Sequence, residues 1–250
     1  MALPTPYYER DGVTLYHGDC RDMLAAIDAT CVVTDPPFGT TNLVWDQVVE
    51  GWTELLRPNC CWVFGSFRSL ASLVARDFAG WTIAQDLVWE KHNGANLHAD
   101  RFRRVHEQAV QFYRGAWGDV WKCPQFTMDA TARTVRKKER PAQWLGRTGA
   151  TSYVSHDGGP RHMRSVIRVR SAHGEALHPT QKPEPLLQPI VSYSCPSGGL
   201  VLDPFAGSGS TLVAALSLGR RAVGIEINAD YCEIAARRLS QGVLNFTETP

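Results

Sequence analysis

The sequence predicts an α/β fold: a doubly wound, mostly parallel sheet with one antiparallel edge strand and a small basic insertion. Three observations carry this. Strand-like runs (Cys31-Val32-Val33, Cys60 to Phe64, Leu200-Val201-Leu202, Arg221 to Ile227) alternate with segments of helical periodicity. Several of these runs end in an acid, and two of those acids open a turn rich in proline or glycine, at the sheet edge where open α/β folds bind ligands. Hydrophobic residues make up 44% of the 250 positions, enough for a substantial core.

In order, Tyr7 to Tyr16 reads as a hairpin turning at Asp11-Gly12, with Val13 to Tyr16 alternating as a strand and ending at His17-Gly18-Asp19. Asp22 to Ile27 is expected to be a short helix. The buried strand Cys31 to Val33 then leads into Thr34-Asp35-Pro36-Pro37-Phe38-Gly39. Asp46 to Leu56 places Val48, Val49, Trp52, Leu55 and Leu56 at helical spacing and predicts an amphipathic helix, stopped at Arg57-Pro58. Cys60 to Phe64 is a strand and Ser69 to Phe78 a helix. The strands Ile83 to Glu90 and Glu107 to Tyr113 have no clear helix between them, which predicts an antiparallel pair at one edge. Past Gly115 the periodicity weakens until about Arg170. Pro185 to Cys195 is a helix, Leu200 to Leu202 a strand, and a helix runs through Ser217. Arg221 to Ile227 is a strand and Asp230 to Leu239 the final helix. The chain therefore divides into a first half, 1–114, a basic insertion, 115–170, and a second half, 171–250.

Net charge is +1, but it is unevenly placed: residues 115–170 hold 11 Lys/Arg against 4 Asp/Glu, and the remainder 15 against 21. A basic segment in an acidic body predicts a local polyanion contact. Arg133, Arg136, Lys137, Lys138 and Arg140 form its charge run, with Trp117, Trp121, Phe126, Trp144 and Tyr153 interspersed. Such a run is also what a solvated insertion looks like; the aromatics favour nucleic acid. Seven scattered cysteines with no CxxC pair exclude zinc and disulfide frameworks and fit reduced thiols in a cytoplasmic setting. No metal site is expected. No run approaches the length of a membrane span, and no signal segment opens the chain.

Two motifs carry the chemistry. In Asp35-Pro36-Pro37-Phe38, two prolines without N–H groups make a rigid turn that presents the Asp35 carboxylate and the Pro36 carbonyl as acceptors, with Phe38 as a flat face. This suits a planar substrate bearing an amino group, such as a nucleobase; alone, it is equally a strand ending in a Pro-Pro turn. In the second, Asp203-Pro204-Phe205-Ala206-Gly207-Ser208-Gly209-Ser210-Thr211 sits between a strand and a helix, and Glu226 ends the next strand. That layout is a nucleoside cofactor site, with Glu226 placed for ribose hydroxyls. Gly209-Ser210-Thr211 lacks the lysine of a phosphate-binding loop, and Leu212 stands where a dinucleotide fingerprint has its third glycine. Asp203 would repel pyrophosphate and attract a cationic ligand. S-adenosylmethionine fits these requirements.

Together these motifs resemble the amino-methylating DNA methyltransferases, which form N6-methyladenine or N4-methylcytosine. The catalytic motif precedes the cofactor motif, similar to the β-group, a circularly permuted version of the S-adenosylmethionine-dependent methyltransferase fold. Trp45-Asp46 and His178-Pro179-Thr180-Gln181-Lys182-Pro183 also look like this family. The resemblance implies that Asp35 and the Pro36 carbonyl hold the target amino group, while Phe38, beyond Pro37, stacks on the flipped base. It implies that Asp203, Phe205, Gly207 and Gly209 line the methionine end of the cofactor and that Glu226 binds the ribose, with Asp35, Ala206, Ser208, Ser210, Thr211 and Ile227 also at the cofactor. Asp19 would accept from the cofactor's adenine amino group, and Thr180 and Lys182 would lie near its carboxylate. Asp19 is equally read as a turn acid, and Lys182 as an exposed cation. Residues 115–170 would be the target-recognition region. Double-stranded DNA is the implied partner, with no membrane and a cognate restriction endonuclease in the same system; the small size of the chain and its short insertion, not the resemblance, lead to the expectation of a homodimer for duplex grip. Asp35 favours adenine; cytosine N4 is the alternative, followed by an RNA or protein-amide substrate and by a catalytically silent DNA-binding protein. Cys123-Pro124 and Cys195-Pro196 lack the Pro-Cys order of carbon-5 cytosine enzymes.

Overall fold

The computed structural model describes residues 2–95, 99–137, 150–171 and 181–241. It separates into two compact units, Pro124–Arg164 and the rest of the chain. In the larger unit, β1 (Tyr8–Arg10) and β2 (Val13–His17) form the expected hairpin. Asp11 and Gly12 turn it at φ 53° and 82°, the mirror-image conformation that matches strand twist. Then come β3 (Cys31–Thr34), β4 (Cys60–Gly65), α1 (Phe67–Asp77), β5 (Thr82–Ala95) and β6 (Arg104–Tyr113).

The smaller unit is built from two antiparallel pairs. β7 (Phe126–Thr127) pairs β10 (Arg161–His162), and β8 (Arg133–Lys137) pairs β9 (Thr151–Ser155). Its bounds lie inside the basic 115–170 segment: the flanks of that segment belong to the larger unit. There the chain continues with β11 (Val166–Arg168), α2 (Glu184–Ser194), β12 (Leu200–Asp203), α3 (Ser210–Ser217), β13 (Arg221–Glu226) and α4 (Ala229–Ser240).

Nine strands form one sheet in the order β1-β2-β13-β12-β3-β4-β6-β5-β11. From β2 to β4 every pairing is parallel; β6 is antiparallel to both β4 and β5, and β11 adds a short parallel strand outside that pair. β3 and β4 are buried along their whole length, as a sheet covered on both faces requires. Val32, Val63, Leu202, Val223 and Ile225 pack with Trp52, Leu70 and Phe78 on one face. On the other, Trp62 donates its indole N–H to Ser194 of α2 at 2.7 Å.

Two expected helices take another form. Asp22 to Ile27 folds as two short 3₁₀ turns, Cys20–Asp22 and Leu24–Ala26. The amphipathic helix expected over Asp46 to Leu56 is absent; only Trp52–Leu55 forms a 3₁₀ turn. Asp46 is committed elsewhere: its carboxylate accepts the N–H groups of Phe38, Gly39, Thr40 and Thr41 at 2.7–2.9 Å, and the Thr41 hydroxyl at 2.8 Å. Gly51 then adopts the left-handed conformation at φ 75°, which a continuing helix forbids. The apolar residues that mimicked a helix instead include the fully buried Trp52, set edge-on to Phe205 at 5.3 Å.

Candidate active site

β13, β12 and β3 lie side by side and parallel, so their last residues arrive at one sheet edge. That register brings Glu226, Asp203 and Asp35 together although up to 191 residues separate them. They face a cavity of about 460 Å³, within the range that holds a nucleoside-sized ligand. Of the positions singled out in the sequence, Asp19, Asp35, Pro37, Lys182, Asp203 and Phe205 line it, as do Ala206, Gly207, Ser208, Ser210, Thr211, Glu226 and Ile227. Gly209 shapes the turn from behind at φ 77°; a Cβ there would meet Ala235 at 3.1 Å. Pro36 is buried next to Asp35. Phe38 sits part-buried against the core with its ring over Gly65, where an added Cβ would come within 2.9 Å.

The electrostatics differ from acid to acid. Burial pushes the Asp203 carboxyl up to about 6, against the donors that hold it. Those donors include the Thr34 hydroxyl at 2.6 Å and the Phe205 N–H at 3.1 Å. Burial also raises Glu226, opposed by the N–H groups of Asn228 and Gly207 at 2.8 and 2.7 Å. Asp19 is lowered, foremost by the Arg21 guanidinium, which pairs it at 2.6 Å.

Lys182 is not an exposed cation: it is buried, donates to Asp35 Oδ2, and lies 3.4 Å from Glu107 Oε2. Glu107 in turn accepts from Lys91. The order Lys91–Glu107–Lys182–Asp35 alternates sign from β5 to the Asp35 turn. Burial opposes the charge of Lys182, but Asp35 and Glu107 outweigh it and push the ammonium up to about 12. Burial raises the Asp35 carboxyl, and Lys182 holds that rise in check. Lys182 thus pairs with Asp35 while lining the same cavity as Asp203 and Glu226.

Other contributors carry no sequence signal as strong. Arg238 on α4 reaches under the glycine turn and donates to the Ser208 carbonyl at 2.6 Å and to the Ser208 and Ser210 hydroxyls at 3.1 Å. Trp45 meets Tyr231 edge-on at 5.9 Å, and both line the cavity. Asp46, expected at the start of a helix, instead organises the backbone from Phe38 to Thr41. Thr180, Lys138 and Arg140 lie outside the described residues. In the smaller unit, exposed Arg133 and Arg136 stand on β8, which also includes Lys137. Arg133 donates to the Tyr153 hydroxyl at 2.8 Å. Among the described residues, no group of three or more His, Cys, Asp or Glu could hold a metal ion, and no helix is long and apolar enough to cross a membrane.

A sequence model described as DNA methylase matches residues 29–237. The type II methyltransferase M2.LlaDCHI of Lactococcus lactis subsp. cremoris is 26% identical over 97% of this chain and 94% of its own. The type II methyltransferase M2.DpnII of Streptococcus pneumoniae is 27% identical over 96% and 94%. Among solved structures, the M1.HpyAVI–SAM complex superposes with a TM-score of 0.59 at 23% identity, covering 91% of this chain and 98% of its own. The cytosine-N4-specific PvuII DNA methyltransferase gives 0.63 at 15%, covering 97% and 90%.

Proposed function

The chain belongs to the DNA methylase family that its residues 29–237 match, and from that premise we propose that it transfers a methyl group from S-adenosylmethionine to the N6 amino group of a flipped adenine in double-stranded DNA. The observation that carries this reading is the meeting of Asp35 with Asp203 and Glu226 on adjacent strand ends around one cavity. The donor set fits the cofactor: Asp203 and Glu226 are carboxylates, suited to a sulfonium and to ribose hydroxyls, and Asp203 would repel a diphosphate. Asp203, Phe205 and the turn through Thr211 would hold its methionine end, Glu226 and Ile227 its ribose, and Asp19 its adenine. When bound, S-adenosylmethionine supplies an already activated methyl group.

The protein's own task is therefore positioning. Asp35 and the Pro36 carbonyl accept the N–H bonds of the target amine. Each carboxylate oxygen has two acceptor positions, so Asp35 keeps capacity for the substrate while Lys182 occupies Oδ2. The cation maintains Asp35 in its ionised form despite burial. Asp35 is also the acceptor for the proton that the methylated amine must lose, since burial has raised its basicity. Phe38 provides the stacking face for a base that must leave the duplex. Arg133, Arg136, Lys137, Lys138 and Arg140 contact the polyanion, making the Pro124–Arg164 unit the target-recognition element. A homodimer, a cognate restriction endonuclease and action in the cytoplasm complete the reading; the type II class of the two relatives supports the second.

Nucleoside mass spectrometry tests this. Unmethylated DNA incubated with the protein and labelled S-adenosylmethionine should yield N6-methyladenine, and Asp35→Ala should yield none. N4-methylcytosine would transfer the same site roles to cytosine. No methyl transfer to any DNA would overturn the reading.

A further inference from the structure

β6 runs past the end of its neighbour. Gly65, the last residue of β4, pairs with Gln108, so Arg104 to Glu107 continue beyond the end of β4, still paired with β5, which β11 flanks as far as Glu90, opposite His106. Past that point β5 and β6 go on as a two-stranded arm, with Arg104 about 13 Å beyond the end of β4 at roughly 3.3 Å per residue. It leaves the sheet at the carboxyl end of β4, the same edge that bears Asp35. Its base is tied to the catalytic turn, because Glu107 is the residue that shares Lys182 with Asp35.

What the arm presents is unusual. Phe102, on the connection between the strands, has a relative exposure of 102%. Arg101, Arg103 and Arg104 flank it, against the single acid Asp100, which Arg101 pairs at 2.7 Å. Arg103 lies across Gly94 of β5 so closely that a Cβ there would come within 2.5 Å. The arginine stem is thereby laid along the arm. A lone exposed phenylalanine needs no explanation. One bracketed by guanidiniums, on a projection rooted at the base-binding acid, has the makeup of a duplex wedge: an apolar ring to enter the stack and cations to hold the flanking phosphates.

We propose that Arg101-Phe102-Arg103-Arg104 is a second DNA-binding element, whose Phe102 enters the duplex beside the extruded base while Arg103 and Arg104 contact phosphates. This rests on the reading that the chain methylates DNA. It assigns duplex opening to the arm and leaves sequence readout to the Pro124–Arg164 unit.

The test uses the full chain on native unmethylated DNA. Phe102→Ala should lower kcat/KM for DNA about tenfold, the scale of one lost base–aromatic stack. The KM for S-adenosylmethionine should stay at its wild-type value. Phe102→Trp should retain most of the activity. Arg103→Gln with Arg104→Gln should reduce the slope of log binding against log salt by about 1.8, near 0.9 for each phosphate contact. Unchanged turnover in Phe102→Ala, or equal loss in Ala and Trp, overturns the wedge. An unchanged salt slope overturns the phosphate contacts. Fluorescence anisotropy reads that slope without turnover, so an inactive wild-type protein would sink the proposed function while leaving this arm of the test intact.

Discussion

Glu107→Gln removes one carboxylate from the alternating row Lys91–Glu107–Lys182–Asp35. Burial works against the charge of Glu107, but the Lys182 and Lys91 ammoniums outweigh it and hold the carboxyl at about 2, against an ordinary 4.5. At about 1.4 kcal/mol for each tenfold change in proton affinity, that difference represents about 3 kcal/mol of folding free energy at neutral pH. It agrees with the roughly 3–5 kcal/mol lost when one member of a buried ion pair is removed. The carboxyl is depressed in the folded state. Its contribution is therefore complete above 4.5 and lost as the pH falls toward about 2. Urea unfolding near pH 7 should place the variant about 3 kcal/mol below wild type with the same m-value. The melting temperature should fall by about 6–12 °C. Below about pH 4.5 the gap should narrow by about 1.4 kcal/mol per pH unit. A gap under about 1 kcal/mol near pH 7, or one that persists undiminished at about pH 3.5, refutes the assignment of Glu107 to this row.

Three further outcomes follow from the site. Asp203 must be ionised to attract a cationic cofactor, and its carboxyl stands at about 6. Calorimetric affinity for S-adenosylmethionine should therefore fall about tenfold from pH 7.5 to pH 5, and Asp203→Asn should bind weakly with no pH dependence; a flat wild-type profile contradicts this. Glu226→Gln replaces an oxygen that faces the Gly207 or Asn228 N–H with a donor, so the KM for the cofactor should rise about tenfold with kcat nearly unchanged. A drop confined to kcat would place Glu226 in the chemistry instead. Asp46→Ala removes the acceptor of four backbone N–H groups and one hydroxyl. Limited proteolysis should then cut between residues 39 and 49 at least about tenfold faster, and wild-type resistance would show that the loop is held by other contacts.

The fold was legible because its evidence is periodic. Buried strands such as Cys60 to Phe64 read as uninterrupted apolar runs, and Glu226 and Asp203 could be placed because each ends one. The stretch from Asp46 to Leu56 misled for a physical reason: its spacing is helical, but the Asp46 carboxylate satisfies the backbone of residues 38–41, a long-range demand that local periodicity does not record. Glu107 and Lys91 went unnoticed because an acid and a cation on two edge-side strands look like ordinary alternation. Only the antiparallel register of β5 and β6 puts them together. Lys182 was found through a motif, yet its partner Asp35 lies 147 residues away and no spacing rule joins them. Phe102 carried no signal at all, since exposure is not written in a sequence.

The strand order also sets a timetable. β12 and β13 come last in chain order among the sheet strands, yet they lie between β2 and β3, which precede them by more than 160 residues. Until residues 200–226 emerge, the earlier strands form two separate patches, each with an unsatisfied parallel edge facing the gap. The final pair is a keystone, closing the sheet through contacts of high sequence separation, which are slow to form. It also brings Asp203 and Glu226 beside the turn that holds Asp35. The continuous sheet and the edge that gathers the three acids therefore depend on the same pair of strands.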